Sequence, residues 1–303
     1  MGRSPLPNAV ITAMASKKHR LWHYLWHGFR NSWEGLDCKE REKLCETHPN
    51  WVPPRPALDA DGNPKRDNDS GEDFLYMHRT MIMMVNKILV CEGEINYPWV
   101  QGWSCLPKPL DQLYPILPVY ESHRVPRERI ELEKSVDRYW SYFSGLENKF
   151  TDPDYLSSVT MGQLGSDIEF TIHNSMHIRW SEESKVGYMT EPKLGDPIDD
   201  MWNQPEYNWL GDEYAAHVNP IFWKVHGWVD DRINDWMRIN QNEDYKWKGT
   251  WIGDERILQS HDDHGQTPPA HADHELIAEL EYLADFLGST GRRRSSYDLP
   301  KIC

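Results

Sequence analysis

The chain of 303 residues has too little positive charge for a nucleic-acid-binding protein. Aspartate and glutamate number 48 against 33 lysines and arginines, which gives a formal net charge of -15. Phosphate backbones are bound by basic faces, so this balance argues against nucleic acid as a partner. Long apolar runs are also missing, since none approaches the roughly 20 residues that span a bilayer. We therefore expect neither nucleic acid nor a membrane as partner.

Cysteine is scarce, and its spacing excludes CxxC zinc and redox motifs. The cysteines are Cys38, Cys45, Cys91, Cys105 and Cys303. Their odd number and scatter favour reduced thiols in a cytoplasmic protein. The opening stretch MGRSPLPNAVITAMASKK contains an AMA triplet similar to a signal cleavage site, but Pro5, Pro7 and Asn8 interrupt it. A secreted or periplasmic location is therefore the less favoured alternative.

Aromatic residues and helical patterns are plentiful, whereas strand signals are sparse. Fifteen Trp, fourteen Tyr and seven Phe supply bulky apolar surface to a chain whose hydrophobic share is only 39%. Apolar periodicity predicts helices at 17–34, at about 127–149 and at about 273–287. Capping signals predict three more: a helix at 74–91 that follows a capping box at Ser70–Asp73, a helix that opens with a capping box at Ser166 and Glu169, and a helix that begins after the Asn219–Pro220 cap. Loops are predicted at 50–73 and 98–126, and 181–216 is irregular. The predicted fold is mainly α: one helix-bundle domain over 1–287 with long irregular loops and a flexible tail at 288–303.

Histidines recur on the inward faces of these helices. In EFTIHNSMHIRW, residues 169–180, His173 and His177 are four apart and so lie on one helix face. Asn174 stands where a zinc peptidase would need a glutamate, which excludes that motif. His78 and His226 share faces with apolar residues of two other helices. Metal sites in helix bundles are built from such facing side chains.

The stretch NPIFWKVHGWVDD, residues 219–231, resembles the second copper-site signature of the tyrosinase family. Pro220, Phe222, Trp223, His226 and Asp230 match that signature. HNSMH is similar to the His-Asn-x-x-His of the same site, and FLYMHR to the first copper site. FRNSWEGLDCKEREKL is similar to a helix near the start of that family. The likeness covers roughly residues 20–240 and is nearest to bacterial tyrosinases of the pyoverdine-maturation type.

The resemblance implies two copper ions, each held by three histidines. His173, His177 and His226 would hold the second copper, and His78 the first. The family usually has another histidine where this chain has Asp69. His23 and His27, an i,i+4 pair on the first helix, are the preferred remaining ligands of the first copper. His19 and His48 are the reserves.

The resemblance also assigns roles to residues beside the ligands. In tyrosinases the asparagine after the first ligand of the second site, with a nearby glutamate, is proposed to orient a water that deprotonates the phenol. Asn174 occupies that place. Glu169 is the candidate partner, although a capping-box role explains it equally well. Phe222 is expected to stack near a ligand and Asp230 to orient a helix or an imidazole, while Arg79 is expected to form a structural ion pair.

The implied activity is O2-dependent ortho-hydroxylation and oxidation of phenols to catechols and quinones. Ligation by imidazoles alone suits copper, whereas iron oxygenases use two histidines and a carboxylate. The cofactors would be two copper ions with O2 as co-substrate. The substrate would be a phenolic small molecule or a peptide-borne phenol, such as a siderophore precursor. The alternatives are a diphenol-only catechol oxidase, a non-catalytic O2 or copper carrier marked by a closed pocket, and a degenerate single-copper protein.

Two stretches near the end of the sequence remain open. The segment SHDDHGQTPPAHADH contains four histidines, at 261, 264, 271 and 274. A polar loop is the preferred interpretation, and a copper-loading site is the alternative. Tyr297 in the tail is a candidate placeholder for the active site, by analogy with the plugging segments of the family. The oligomeric state is not predicted.

Overall fold

The computed structural model describes residues 6–122, 125–182, 200–259 and 270–290, and in this part of the chain the fold is mainly helical. The α-helices are α1 (Asn8–Ala15), α2 (Lys17–Ser32), α3 (Cys38–Thr47), α4 (Ser70–Glu92), α5 (Arg127–Glu133), α6 (Trp140–Thr151), α7 (Pro153–Ser158), α8 (Met161–Ile168), α9 (Asn174–Trp180), α10 (Pro220–Ile239), α11 (Arg256–Gln259) and α12 (Ala270–Ser289). The predicted mainly α class is confirmed. No helix among the described residues is long and apolar enough to cross a membrane.

Helix α2 lies at the centre of the fold. Every residue from Lys18 to Ser32 is buried, and α1, α11 and α12 pack against the helix. The helix begins after Ser16, whose hydroxyl accepts a hydrogen bond from the backbone N–H of His19. A helix buried on all sides directs some polar side chains into the interior, and these need partners there. His23 and His27 are two of them.

Helices α4 and α8 cross at very short range because glycines face each other. A Cβ atom placed on Gly71 would lie 1.9 Å from the backbone nitrogen of Ser166, and one on Gly165 would lie 2.0 Å from the carbonyl oxygen of Gly71. Any side chain at these positions would push the two helices apart. This crossing fixes α4, which carries His78, against the helix that continues into His173 and His177.

Helix α10 begins as the sequence predicts. The Asn219 side chain accepts a hydrogen bond from the backbone N–H of Ile221, and Pro220 occupies the first helical position. Arg79 of α4 donates to both carboxylate oxygens of Asp230, with its Nε 2.6 Å from Oδ1. The structural ion pair predicted for Arg79 is therefore confirmed, and it holds α4 against α10.

Both capping boxes predicted from the sequence are wrong. Helix α4 begins at Ser70 instead of 74, and the carboxylate of Asp73 accepts from Arg55 and from the Trp251 backbone. Ser166 lies inside a continuous helical stretch that begins after Thr160, and its hydroxyl accepts from the Gly71 backbone. In each case a partner distant in sequence has taken the side chain that a local cap would use.

The single helix predicted at 127–149 is two helices, α5 and α6. Between them the hydroxyl of Ser135 donates to the carbonyl of Leu132 and accepts from the backbone N–H of Tyr139. A serine that bonds to its own backbone in this way competes with helix hydrogen bonds. Helices α1, α7 and the first turns of α8 were not predicted.

The remaining predictions concern the cysteines and the end of the chain. Cys38, Cys45, Cys91 and Cys105 are unpaired and exposed, as expected, and Cys303 lies outside the described residues. The last helix extends to Ser289. His261, His264, Tyr297 and the rest of the tail beyond residue 290 also lie outside the described part. His274 is exposed on α12.

Candidate metal centre

The six histidines predicted as ligands converge on one small cavity. Helix α2 contributes His23 and His27, α4 contributes His78, and the α8–α9 helix and α10 contribute the others. The histidines that line the cavity are His23, His27, His78, His173, His177 and His226. Each is at most 5% exposed. Glu213, Ala216 and Phe222 complete the lining of a space of about 10 Å³.

The first three candidate ligands form a compact group. We call His23, His27 and His78 the first trio. Each of the three offers one ring nitrogen, and these nitrogens lie within 4.8 Å of one another. The ring centroids of His23 and His27 are 4.8 Å apart, and His78 lies 5.7 Å from His27. One cation can therefore be reached by all three rings.

The second trio, His173, His177 and His226, is arranged somewhat differently from the prediction. The Nε2 atoms of His173 and His226 are 3.0 Å apart. The third nitrogen within 4.8 Å of both belongs to His78, whose ring stacks on His226 at 4.4 Å. The ring of His177 lies 4.6 Å from that of His173 and lines the same cavity. His78 thus lies between the two groups, and the assignment of His177 to the second copper stays a prediction.

Five of the six rings are oriented by a hydrogen bond from Nδ1 to an oxygen. The acceptors are the backbone carbonyls of Glu213 for His23 (2.5 Å), Phe74 for His78 (2.8 Å), Leu210 for His177 (2.9 Å) and Phe222 for His226 (2.8 Å), and the side-chain oxygen of Asn174 for His173 (3.2 Å). A carbonyl oxygen only accepts, so Nδ1 carries the proton in each ring. Metal-binding histidines typically show this orientation, with Nε2 left as the ligand atom.

The Nε2 atoms of these rings face one another across the cavity. Among the described residues, Nε2 of His23, His78 and His177 has no hydrogen-bond partner although it is buried. His173 and His226 point two unprotonated Nε2 atoms at each other across 3.0 Å. Two lone pairs at this distance repel unless a proton or a metal cation lies between them. Since metal–imidazole bonds are about 2 Å long, 3.0 Å suits two ligands of one ion.

Burial keeps these rings neutral. Desolvation lowers the pKa of His23 and of His177 to about 4, and it lowers the pKa of His78, His173 and His226 well below the usual value. Neighbouring imidazoles lower the pKa of most of these rings further because their positive charges would repel. Neutral imidazole is the form that binds metal.

His27 differs from the other five candidate ligands. Its Nδ1 has no hydrogen-bond partner in the described part of the chain. The indole of Trp26 meets it edge-on, with ring centroids 4.9 Å apart. Burial lowers the pKa of His27 as well, helped by His23 and His78. Packing alone therefore sets the direction of this ring.

Asn174 and Glu169 lie beside the site in different ways. Asn174 is buried, and its side-chain oxygen orients His173 from behind. Glu169 opens a π-helical turn, Glu169–His173, that joins α8 to α9. Both of its carboxylate oxygens accept from Arg30, at 2.6 and 3.0 Å. The capping-box role of Glu169 is wrong, and its role as partner of a catalytic water stays untested.

Phe222 behaves as predicted, whereas the reserve ligands lie elsewhere. The Phe222 ring stacks on His226, with centroids 3.7 Å apart. His48 ends α3 and stacks on Tyr282, away from the cavity. His19 is buried one turn before His23, beside Ser16, and does not line the cavity. The carboxylate of Asp69 accepts from Thr160, so this residue does not replace the histidine of the family motif.

Another buried imidazole close to the first trio, His217, was missed by the sequence reasoning. Its ring centroid lies 4.8 Å from that of His23, and its Nε2 donates to the carbonyl of Met14. The Nδ1 atom is buried without a hydrogen-bond partner among the described residues. The available signal was its place two residues before the Asn219 cap, which directs it towards the same end of α10 as His226.

Comparison with the models of known protein families gives no match, and comparison with curated proteins gives none either. The likeness to tyrosinases rests on the motif residues.

Proposed function

We propose that the chain binds two copper ions in this cavity and uses them to oxidise phenols with O2. The single observation that carries the proposal is the ring of buried, neutral imidazoles whose unprotonated nitrogens converge, above all His173 and His226. An all-imidazole set fits copper, and copper(II) binds such sites more tightly than zinc does. His23 and His27 would hold one ion, and His173, His177 and His226 the other, with His78 between the two groups.

The copper pair would supply two electrons to O2 and the oxidising power for the phenol; the chain supplies placement. The hydrogen bonds from Nδ1 fix the rings before any ion arrives, so little reorganisation is needed on binding. The buried walls exclude water. Phe222 covers one face of His226 and limits its rotation. Asn174 holds His173 through Nδ1 and is the residue expected to influence proton removal from the phenol.

The substrate would be a phenolic small molecule or a peptide-borne phenol. The experiment compares a monophenol with the matching catechol in an oxygen electrode, with copper-loaded protein. We expect O2 uptake with both compounds and none for His226→Ala. Uptake with the catechol alone would support a catechol oxidase instead.

A second candidate, an O2 or copper carrier, is favoured by the size of the cavity. A space of about 10 Å³ is near the smallest that holds one water molecule and is far too small for a phenol ring. Phenol oxidation therefore requires a wall such as Glu213 or Ala216 to move. Reversible uptake of one O2 per copper pair, with no turnover of either phenol, would favour the carrier.

A further inference from the structure

One buried arginine of α2 contacts two other helical segments that carry candidate ligands, α4 and the π-turn between α8 and α9. Arg30 lies on α2, seven residues after His23, and is completely buried. Its Nη1 and Nη2 donate to the two carboxylate oxygens of Glu169, four residues before His173. Nη2 also donates to the carbonyl of Ser70, the first residue of the helix that carries His78.

This arrangement is a rigid one. A bidentate guanidinium–carboxylate pair fixes both distance and orientation, since two parallel hydrogen bonds leave no free rotation. The Trp26 ring packs on the guanidinium, 4.4 Å from its carbon, and closes the remaining face. Glu169 is 1% exposed, so water does not compete for the pair. The pair also lies at the first residue of the π-turn that ends at His173.

We propose that the Arg30–Glu169 pair is a positioning clamp that sets the separation of the two metal ions. The inference rests on the proposed dicopper function. A copper pair bridged by oxygen ligands has coupled spins only while the two ions stay close. The first trio is carried by α2 and α4, and the second by the π-turn, α9 and α10. The clamp ties α2 to the π-turn through Glu169 and to the first residue of α4 through Ser70. Neither residue of the clamp lines the cavity.

The test uses Glu169→Gln, which keeps the shape of the side chain and removes its charge. Truncating one partner of a buried pair is costly, so Arg30→Met/Glu169→Leu serves as a second variant without an uncompensated charge. The matched control is Glu133→Gln, because Glu133 is also 1% exposed and pairs with Arg129 at 2.8 Å, on α5, which carries no ligand. Copper content, the electron paramagnetic resonance spectrum of the oxidised form and the thermal midpoint are measured for all four proteins.

We expect wild type and Glu133→Gln to hold two coppers with a silent spectrum. Both clamp variants should bind one of the two coppers about 10–100-fold more weakly, the usual effect of losing a group that orients ligands. When saturated they should still hold two coppers but show a cupric signal, because the ions are no longer coupled. A silent spectrum and unchanged affinity in both clamp variants would overturn the clamp. Failure of the wild type itself to take up two coppers would overturn the proposed function instead.

Discussion

The two trios of imidazoles are held by different means. Each ring of the second trio has its Nδ1 bound to an oxygen, and His226 uses a carbonyl of its own helix. In the first trio, His23 uses the carbonyl of the distant Glu213, and His27 has no acceptor among the described residues. Hydrogen bonds orient all three rings of the second trio, whereas in the first trio they orient His23 and His78 and leave His27 to be held by packing. The candidate metal centre therefore contains one ring, His27, whose direction depends on packing against neighbours such as Trp26.

The largest effect should come from His78, which lies between the trios. His78→Ala removes a nitrogen from both compact groups, so we expect the copper content to fall from two ions per chain to fewer than one. The matched control is His48→Ala, since that ring stacks on Tyr282 outside the cavity. Elemental analysis after dialysis measures the content. Retention of one full copper would show that His78 serves only the first trio.

A smaller loss is expected when one ring of the second trio loses its acceptor. Asn174→Leu leaves Nδ1 of His173 without its oxygen, so copper should bind about 10–100-fold more weakly at one of the two positions. Competition with a chelator measures the affinity. Monophenol turnover should fall further than catechol turnover, by about ten- to a thousandfold, if the asparagine also assists proton removal. Equal losses on the two substrates would mean that Asn174 only orients the ring.

Low pH should lower the stability of the metal-free protein through a ring of each trio, His23 and His177. The folded pKa of His23 and of His177 is about 4, below the ordinary 6.5 of the unfolded chain. The unfolded state therefore binds more protons between these values, and stability falls as the pH drops from about 6.5 towards 4. For each of the two rings, the free energy of unfolding should be about 2 kcal/mol lower at pH 5 than at pH 7. Urea unfolding at pH 7 and 5 measures the loss, and His177→Gln should show a smaller loss than wild type. An equal loss of stability in His177→Gln would contradict the attribution of part of the loss to His177.

The smallest effect concerns Asn31, one turn after His27. It is 2% exposed, and neither atom of its amide has a hydrogen-bond partner in the described part of the chain. Asn31→Leu should therefore raise the free energy of unfolding by about 1 kcal/mol and leave copper affinity unchanged. Chemical denaturation and copper titration test the two expectations. A fall in copper affinity would show instead that Asn31, directly or through a buried water, supplies the missing acceptor for His27.

The sequence predicts those parts of the fold and site that depend on spacing within one helix. The pairs His23–His27 and His173–His177 each lie on one helix face, and the Asn219 cap fixes the start of α10. These relations are local, so periodicity and capping rules suffice. The convergence of the six rings followed from the family likeness and from inward faces, not from any local rule.

Other features depend on partners far away in the chain. Ser166 bonds to the Gly71 backbone, and Glu169 pairs with Arg30 instead of capping a helix. No local pattern predicts the π-turn that begins at Glu169, or His217 beside His23. The size of the cavity could not be predicted from the sequence either, because it depends on how loops such as the one at Glu213 pack over the rings.

The central claim is that the six imidazoles hold a coupled pair of copper ions. The most direct test is to load metal-free protein with copper(I), oxidise it in air, and measure copper per chain together with the electron paramagnetic resonance spectrum. The account predicts two coppers per chain and a silent spectrum, since the spins of the paired copper(II) ions cancel. One copper per chain with a full cupric signal, or no retained copper, would contradict it.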